Sequence, residues 1–221
     1  MALTILAEQQ DGLLLLTLNR PDKRNALNTE MYLALTLAFQ QAALDESVHV
    51  VLLQGQQECF TAGNDLADFM GKSSLEADDP ILQFLHTLAD FPKPVIAAVG
   101  GPAVGIGTTL LLHCDLVYLG ENARLQLPFV ELGLVPEFAS SLLLPRAVGH
   151  LKAAELLLLA EAIDAGEALR LGLANRVLAV EELLPFARAQ GMKLAAKAPK
   201  ALQKSKALLK QELKQAVHFV I

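Results

Sequence analysis

The 221-residue chain is long enough for one domain, or one domain with a helical appendage, and hydrophobic residues make up 53% of it, enough for a large core. Its net charge of −6 supplies no global positive field, which argues against nucleic acid as the main partner and leaves any anionic ligand to local basic groups or helix N-termini. The two cysteines, Cys59 and Cys114, lie far apart without metal-like spacing and read as reduced core thiols. In chain order, Thr4 to Leu6 and Leu13 to Leu18 are apolar runs flanking Asp11-Gly12, the pattern of a β-hairpin. A polar loop from Asn19 to Asn25 follows. Asn28 and Thr29 then offer caps to a helix that opens at Glu30 and runs to about Leu44. Val48 to Leu53 reads as a buried strand, Phe60 to Gly63 as a loop, and Asp65 as the start of a short helix. Residues 71–80 are polar and acidic and are expected to be mobile. Pro80 opens a helix to about Asp90, and Phe91-Pro92-Lys93-Pro94 leads into a strand from Val95 to Val99. Gly100, Gly101, Gly105 and Gly107 form a tight loop feeding an apolar helix from Thr108 to His113. Leu116 to Leu119 is a strand. Beyond Phe138 the pattern is mostly helical, with a short strand near Val177. Ala201 to Val217 reads as amphipathic, with lysines on one side and Leu202, Leu208, Leu209 and Leu213 on the other.

The repeated strand–loop–helix unit implies an α/β fold with a C-terminal helical part, divided as residues 1–150 and 151–221. The run Leu13 to Leu16 is too short to span a bilayer, and Met1 to Gln10 lacks the basic and apolar regions of a signal peptide. His218-Phe219-Val220-Ile221 is not a peroxisomal tripeptide. A cytoplasmic protein that neither enters a membrane nor binds nucleic acid is expected.

Several segments could carry chemistry. Gly105-Ile106-Gly107 resembles the start of a dinucleotide fingerprint, but Leu110 stands where its third glycine is required. Glycines between a strand and a helix also free backbone N–H groups that can stabilise an oxyanion, although plain packing at a tight turn explains them equally well. Thr61-Ala62-Gly63-Asn64-Asp65-Leu66 has the same position between strand and helix, so the two loops could each aim one N–H at a common oxygen. Helix capping is the simpler role for Asp65. Glu137 lies in the apolar run Val135-Pro136-Glu137-Phe138, where a carboxylate either faces solvent or is buried with a raised pKa suited to proton transfer at carbon. Glu131 is the rival acid. None of the five histidines pairs with another at metal spacing, His113 reads as a core or strand-edge residue, and no serine sits in a nucleophile elbow.

Taken together, Leu18-Asn19-Arg20-Pro21 through Asn25-Ala26-Leu27-Asn28, Ala62-Gly63-Asn64-Asp65-Leu66, Pro92 to Val99 with Gly101 to Gly105, and Cys114-Asp115-Leu116-Val117-Tyr118 resemble the crotonase, or enoyl-CoA hydratase/isomerase, superfamily over nearly the whole length. The resemblance implies an α/β superhelix of ββα turns followed by helices that drive trimer formation, with an acyl-CoA thioester as substrate and no separate cofactor. It implies that Asn64 and Ile106 supply the oxyanion N–H groups and that Ala62, Gly63, Asn64, Asp65 and Leu66 line the coenzyme A site. Ala26, Gly105 and Phe129 join them as substrate-contacting positions, and Lys23 or Arg24 would meet the CoA phosphates. Where hydratases of the family carry two glutamates, this chain has Thr109 and Phe129, neither of which can act as a base. Val135-Pro136-Glu137 followed by Ala139-Ser140-Ser141 is instead similar to the peroxisomal-type Δ3,Δ2-enoyl-CoA isomerases, which implies Glu137 as the one acid. Relative to the family the chain stops early, at Ile221, so a shortened helical region and a weakened homo-oligomer are expected. The alternatives are an enoyl-CoA hydratase or other crotonase-type enzyme, and a catalytically silent CoA-binding protein.

Overall fold

A computed structural model describes residues 3–69 and 78–221. The acidic stretch expected to be mobile falls mostly outside them. The chain begins with β1 (Ile5–Gln10) and β2 (Leu13–Leu18), antiparallel and joined at Asp11 and Gly12, both with positive φ. This is the hairpin the sequence implies, but β1 continues through Glu8, Gln9 and Gln10. A mostly exposed edge strand needs no apolar run, because its ladder is built from backbone groups. A short 3-10 turn (Pro21–Lys23) leads to α1 (Thr29–Leu44), capped by the Asn28 side chain, which accepts from Met31 N at 3.0 Å. Then come β3 (Val50–Gln54), α2 (Leu66–Phe69), α3 (Pro80–Ala89) and β4 (Val95–Val99). Next are β5 (Pro102–Val104) and α4 (Ile106–Thr109), the latter prolonged by a 3-10 turn over Leu110–His113. After β6 (Leu116–Gly120), β7 (Arg124–Gln126) and a 3-10 turn at Val130–Leu132, the helices α5 (Ser140–Val148) and α6 (His150–Leu158) follow. The chain finishes with β8 (Ile163–Asp164), α7 (Ala165–Arg170), β9 (Arg176–Leu178), α8 (Val180–Ala195), α9 (Pro199–Lys210) and α10 (Lys214–Val220).

The larger sheet runs β1-β2-β3-β4-β6-β9, parallel from β2 onward, and the smaller runs β5-β7-β8. Both faces of the larger sheet are covered over β2, β3 and β4, which is why these strands read as mostly unbroken apolar runs rather than alternating ones. Leu14, Leu16, Val51, Leu53, Val95 and Ala97 point into a core shared with α1 and α3, where Tyr32, Phe39 and Phe84 pack tilted ring to ring. Leu13, Leu15, Val50, Leu52, Ile96 and Ala98 point the other way, against Leu183, Ala187 and Ala195 of α8. Residues 151–221 thus contribute both a strand of the large sheet and the cover of its second face. No helix among the described residues is long and apolar enough to cross a membrane.

The amphipathic expectation for residues 201–217 is reversed in one respect. The helix breaks between α9 and α10, and the buried residue of α9 is Lys206, whereas Leu208 and Leu209 are exposed. The ammonium is paid back by partners at hydrogen-bond distance: Lys206 Nζ donates to the Lys93 carbonyl and to Asp115 Oδ2, both at 2.7 Å. Burial still pushes its pKa down to about 8.

The loop between β2 and α1 is fastened by Asn25, whose side chain is fully buried. Its Oδ1 accepts from Arg20 N at 2.8 Å, and its Nδ2 faces Gln56 Oε1, the Cys59 carbonyl and the Phe60 carbonyl at 2.5, 3.2 and 3.0 Å. Asn25→Ala would orphan these groups in a dry site, at about 1–3 kcal/mol for each group left unpaired. A loss of at least about 2 kcal/mol of unfolding free energy is expected, read from the urea midpoint.

Candidate active site

Two loops meet where β3 and β4 end. Val104 N donates to the Thr61 carbonyl, and Phe60 N and Thr61 N both donate to the Pro102 carbonyl, each at 3.1 Å. Thr61 and Ala103 form a parallel bridge across the junction. Gly63 makes the close approach possible: its φ is +93°, and a Cβ there would stand 2.8 Å from the Val104 carbonyl oxygen.

Within the first loop the donors are almost all committed. Ala62 N bonds to the Arg24 carbonyl at 2.9 Å, Gly63 N to Thr61 Oγ1 at 3.1 Å, and Asp65 N to the Leu27 carbonyl at 2.8 Å. Asn64 N–H has no acceptor among the described residues. Its side chain is tied down separately, because Tyr32 Oη donates to Asn64 Oδ1. In the second loop Gly105 N bonds to the Gln126 carbonyl at 2.9 Å, and Gly105 then caps α4 at a φ of +55° and ψ of −116°, a conformation open essentially to glycine alone. Ile106 N–H, the first of the helix, likewise has no acceptor among the described residues. The loops are therefore joined, and among the described residues each retains an N–H without an acceptor at the residue that the resemblance implies, Asn64 and Ile106.

Thr109, three residues after Ile106, is fully buried, and its hydroxyl lies 3.4 Å from Glu137 Oε1. The Glu137 residue keeps some solvent contact, yet protein surrounds its carboxyl group, and burial pushes its pKa up to about 7 against an opposing effect of the Thr109 hydroxyl. Tyr32 connects the carboxylate to the other loop: burial first, then the Glu137 charge, then the Asp79 charge hold its phenol well above the ordinary value. Glu131 stands exposed on its 3-10 turn.

The remaining candidates are more scattered. Asp65 accepts from Ala67 N at 3.1 Å, capping α2, and pairs with Arg20 at 2.6 Å, which holds its carboxyl below the usual range. Arg20 Nη1 also donates to the Ala26 carbonyl at 3.0 Å. Lys23, Arg24, Ala62 and Leu66 are exposed, and Ala26 is half-buried. Phe129 is buried with Leu127, Leu144, Ala153, Leu156 and Leu157, on the side of α5 and α6. The site reading of the sequence left out Tyr32 and Arg20 as anchors of the Asn64–Asp65 segment. Arg20 stands in a segment that carries the resemblance, but the roles of Tyr32 and Arg20 depend on partners 32 and 45 residues away.

A family model described as enoyl-CoA hydratase/isomerase matches residues 8–219. Enoyl-CoA delta isomerase 2 of Rattus norvegicus is 34% identical over 222 residues, 98% of this chain, but the chain spans only 56% of that protein's length. The 2,3-dehydroadipyl-CoA hydratase of Escherichia coli K12 is 39% identical over 215 residues, which cover 96% of this chain and 84% of the hydratase. Among solved structures, Pseudomonas aeruginosa OdaA superposes with a TM-score of 0.94 at 48% identity, covering 99% of this chain and 91% of its own. An enoyl-CoA hydratase/isomerase from Pseudoalteromonas atlantica T6c gives 0.94 at 40% identity, over 97% and 86% of the two chains. With a matching family model across most of its length and the same α/β architecture in these structures, the chain belongs to the enoyl-CoA hydratase/isomerase family and has the crotonase fold.

Proposed function

We propose that the chain is a Δ3,Δ2-enoyl-CoA isomerase that works with Glu137 as its one catalytic carboxylate. The observation that carries this reading is the pairing at Thr109. Where hydratases of the family have a glutamate, a buried hydroxyl stands instead, and it contacts a carboxylate that burial holds near neutrality. In the proposed reaction the thioester oxygen accepts from Asn64 N–H and Ile106 N–H, each donor contributing about 3 kcal/mol as negative charge develops on it. Glu137 takes a proton from C2 of the 3-enoyl-CoA, and the electron pair delocalises into the thioester as a dienolate. The same carboxyl group returns the proton to C4, leaving the double bond between C2 and C3. Nothing is added or lost, so no second acid, water or cofactor is needed, and coenzyme A enters only as part of the substrate. The buried Thr109 hydroxyl, which cannot act as a base, supports a site that favours the shift over hydration.

The exposed pair Lys23 and Arg24 is the proposed contact for the CoA phosphates of a protein that is otherwise acidic. Exposed Leu208, Leu209 and Phe219 on α9 and α10 support self-association, proposed as a trimer by family resemblance, in the cytoplasm. The identity shared with the Escherichia coli hydratase favours a second reading, hydration of a 2-enoyl-CoA. Product analysis separates the two.

With a 3-enoyl-CoA, the conjugated 2-enoyl product is expected by its ultraviolet absorbance, with little 3-hydroxyacyl-CoA. Glu137→Gln is expected to lower the rate at least about a hundredfold while CoA binding is kept, and Glu131→Gln to change it little. Predominant hydration by the wild type, or normal isomerisation by Glu137→Gln, would sink the proposal.

Two pH effects follow from the raised pKa. Catalysis needs the ionised base, so kcat/KM is expected to rise with pH through about 7 and level off above it. Stability runs the other way: the unfolded carboxyl ionises near 4.5 and the folded one near 7, so the folded state binds more protons between them. The resulting cost grows across that window and is fully present above about 7. Glu137→Gln is therefore expected to unfold at higher urea than the wild type at pH 8, and the gain is expected to shrink toward pH 5. For the phosphate contact, the double variant Lys23→Ala, Arg24→Ala is expected to bind CoA more weakly and with a shallower salt dependence, measured by calorimetry at low and high salt.

A further inference from the structure

Beyond that reaction, and resting on Glu137 as its base, we infer that His113 is a positioning residue that sets where the Glu137 carboxylate stands. Glu137 is followed by two non-glycine residues in the left-handed region, Phe138 at φ +52° and Ala139 at φ +54°. The left-handed conformation is strained for a residue with a Cβ, so the bend persists only where surrounding contacts enforce it.

The contacts come from His113. Its ring is 2% exposed and stacks on the fully buried Phe138 ring, with centroids 3.8 Å apart and planes 14° from parallel. His113 Nε2 lies 2.9 Å from the Phe138 carbonyl oxygen. A carbonyl can only accept, so Nε2 carries the proton. Burial pushes the His113 pKa down to about 3, so the imidazole is neutral and this tautomer is fixed throughout the working range. The other side of Glu137 is held by Ser140, whose Oγ and N bond to the Glu137 carbonyl at 2.6 and 2.9 Å. His113 is itself anchored: Lys210 Nζ of α9 donates to the His113 carbonyl at 3.0 Å.

Position along the chain gives this clamp its meaning. Ile106, Thr109 and His113 lie on one continuous helical segment, α4 and its 3-10 extension. One end presents the spare Ile106 N–H, the middle presents the hydroxyl beside the Glu137 carboxylate, and the far end grips the backbone next to Glu137. The segment is a spacer between the oxyanion donor and the base, and His113 is its attachment to the base.

Two variants separate the ring contact from the hydrogen bond. His113→Phe keeps an aromatic ring against Phe138 and removes the donor. His113→Gln keeps a donor for the carbonyl and removes the ring. For 3-enoyl-CoA isomerisation, His113→Phe is expected to lower kcat at least about tenfold with KM within about twofold, because binding contacts are untouched while the base is displaced. His113→Gln is expected to recover most of the loss. A second readout needs no substrate: the Glu137 carboxyl, followed by 13C NMR and assigned with Glu137→Gln. Its midpoint near 7 in the wild type is expected to fall by at least about half a unit in His113→Phe, as the loosened residue gains solvent, and to return in His113→Gln. Should His113→Phe not fold, Lys210→Met carries the same test, with smaller shifts in the same directions. A folded His113→Phe with unchanged kcat and an unchanged Glu137 midpoint overturns the inference, as does a loss of kcat that simply parallels melting temperature in both variants. If Glu137→Gln itself isomerises normally, the assignment of the base fails, and the NMR midpoint alone then decides whether His113 positions Glu137.

Discussion

A carboxyl group whose hydrogen-bond partner among the described residues is one hydroxyl is costly to enclose, and that cost bears on the architecture around Glu137. Burial favours the neutral acid, and the Thr109 hydroxyl at 3.4 Å opposes it without cancelling it. A more generous set of donors would make the group an ordinary carboxylate, with too little basicity for a proton on carbon. Full exposure would do the same. The useful state lies between these, and it requires the surroundings to be rigid, because a small relaxation toward water would undo the shift.

That rigidity is drawn from several scales at once. At the largest, the parallel strands covered on both faces fix where β3 and β4 end, and so where the two loops begin. Backbone bonds between Thr61, Pro102 and Val104 then lock the loops together. Within them, the hydrogen bonds of Ala62, Gly63 and Asp65 consume the neighbouring donors and leave the one at Asn64. Tyr32, reaching from α1, ties this loop to the same electrostatic environment as Glu137.

Much of this was legible in the amino-acid order, and the losses have physical causes. The hairpin, α1 with its Asn28 cap, and β4 from Val95 to Val99 announce themselves through local rules of turn chemistry, capping and apolar runs. The strands β5, β7 and β8, of two or three residues each, carry no periodicity and are defined by partners far along the chain, so they did not. Asp65 could be read as a cap because capping is local. The apolar neighbours of Glu137 leave both an exposed and a buried carboxylate open, and only the family resemblance singles it out; its hydroxyl partner Thr109 lies 28 residues earlier. The lysine face expected for α9 fails at Lys206, since nothing in its own helix reveals that Asp115 and the Lys93 carbonyl lie beneath it. Similarly, His113 reads as a core residue, while its bond to Phe138 crosses 25 residues.

The cover of the sheet's second face has a consequence for how the molecule is made. Leu13, Leu15, Val50 and Leu52 lie in the first quarter of the chain, whereas Leu183, Ala187 and Ala195, which shield them, come in the last. The ribosome thus completes β2, β3 and β4 long before α8 exists, and during that interval one whole apolar surface of the nascent sheet has no partner. Contacts at such sequence separation also close large loops before they return any energy, which slows folding. A growing chain of this design has its greatest need of chaperones late in synthesis, when the sheet is nearly assembled and its shield is still being translated.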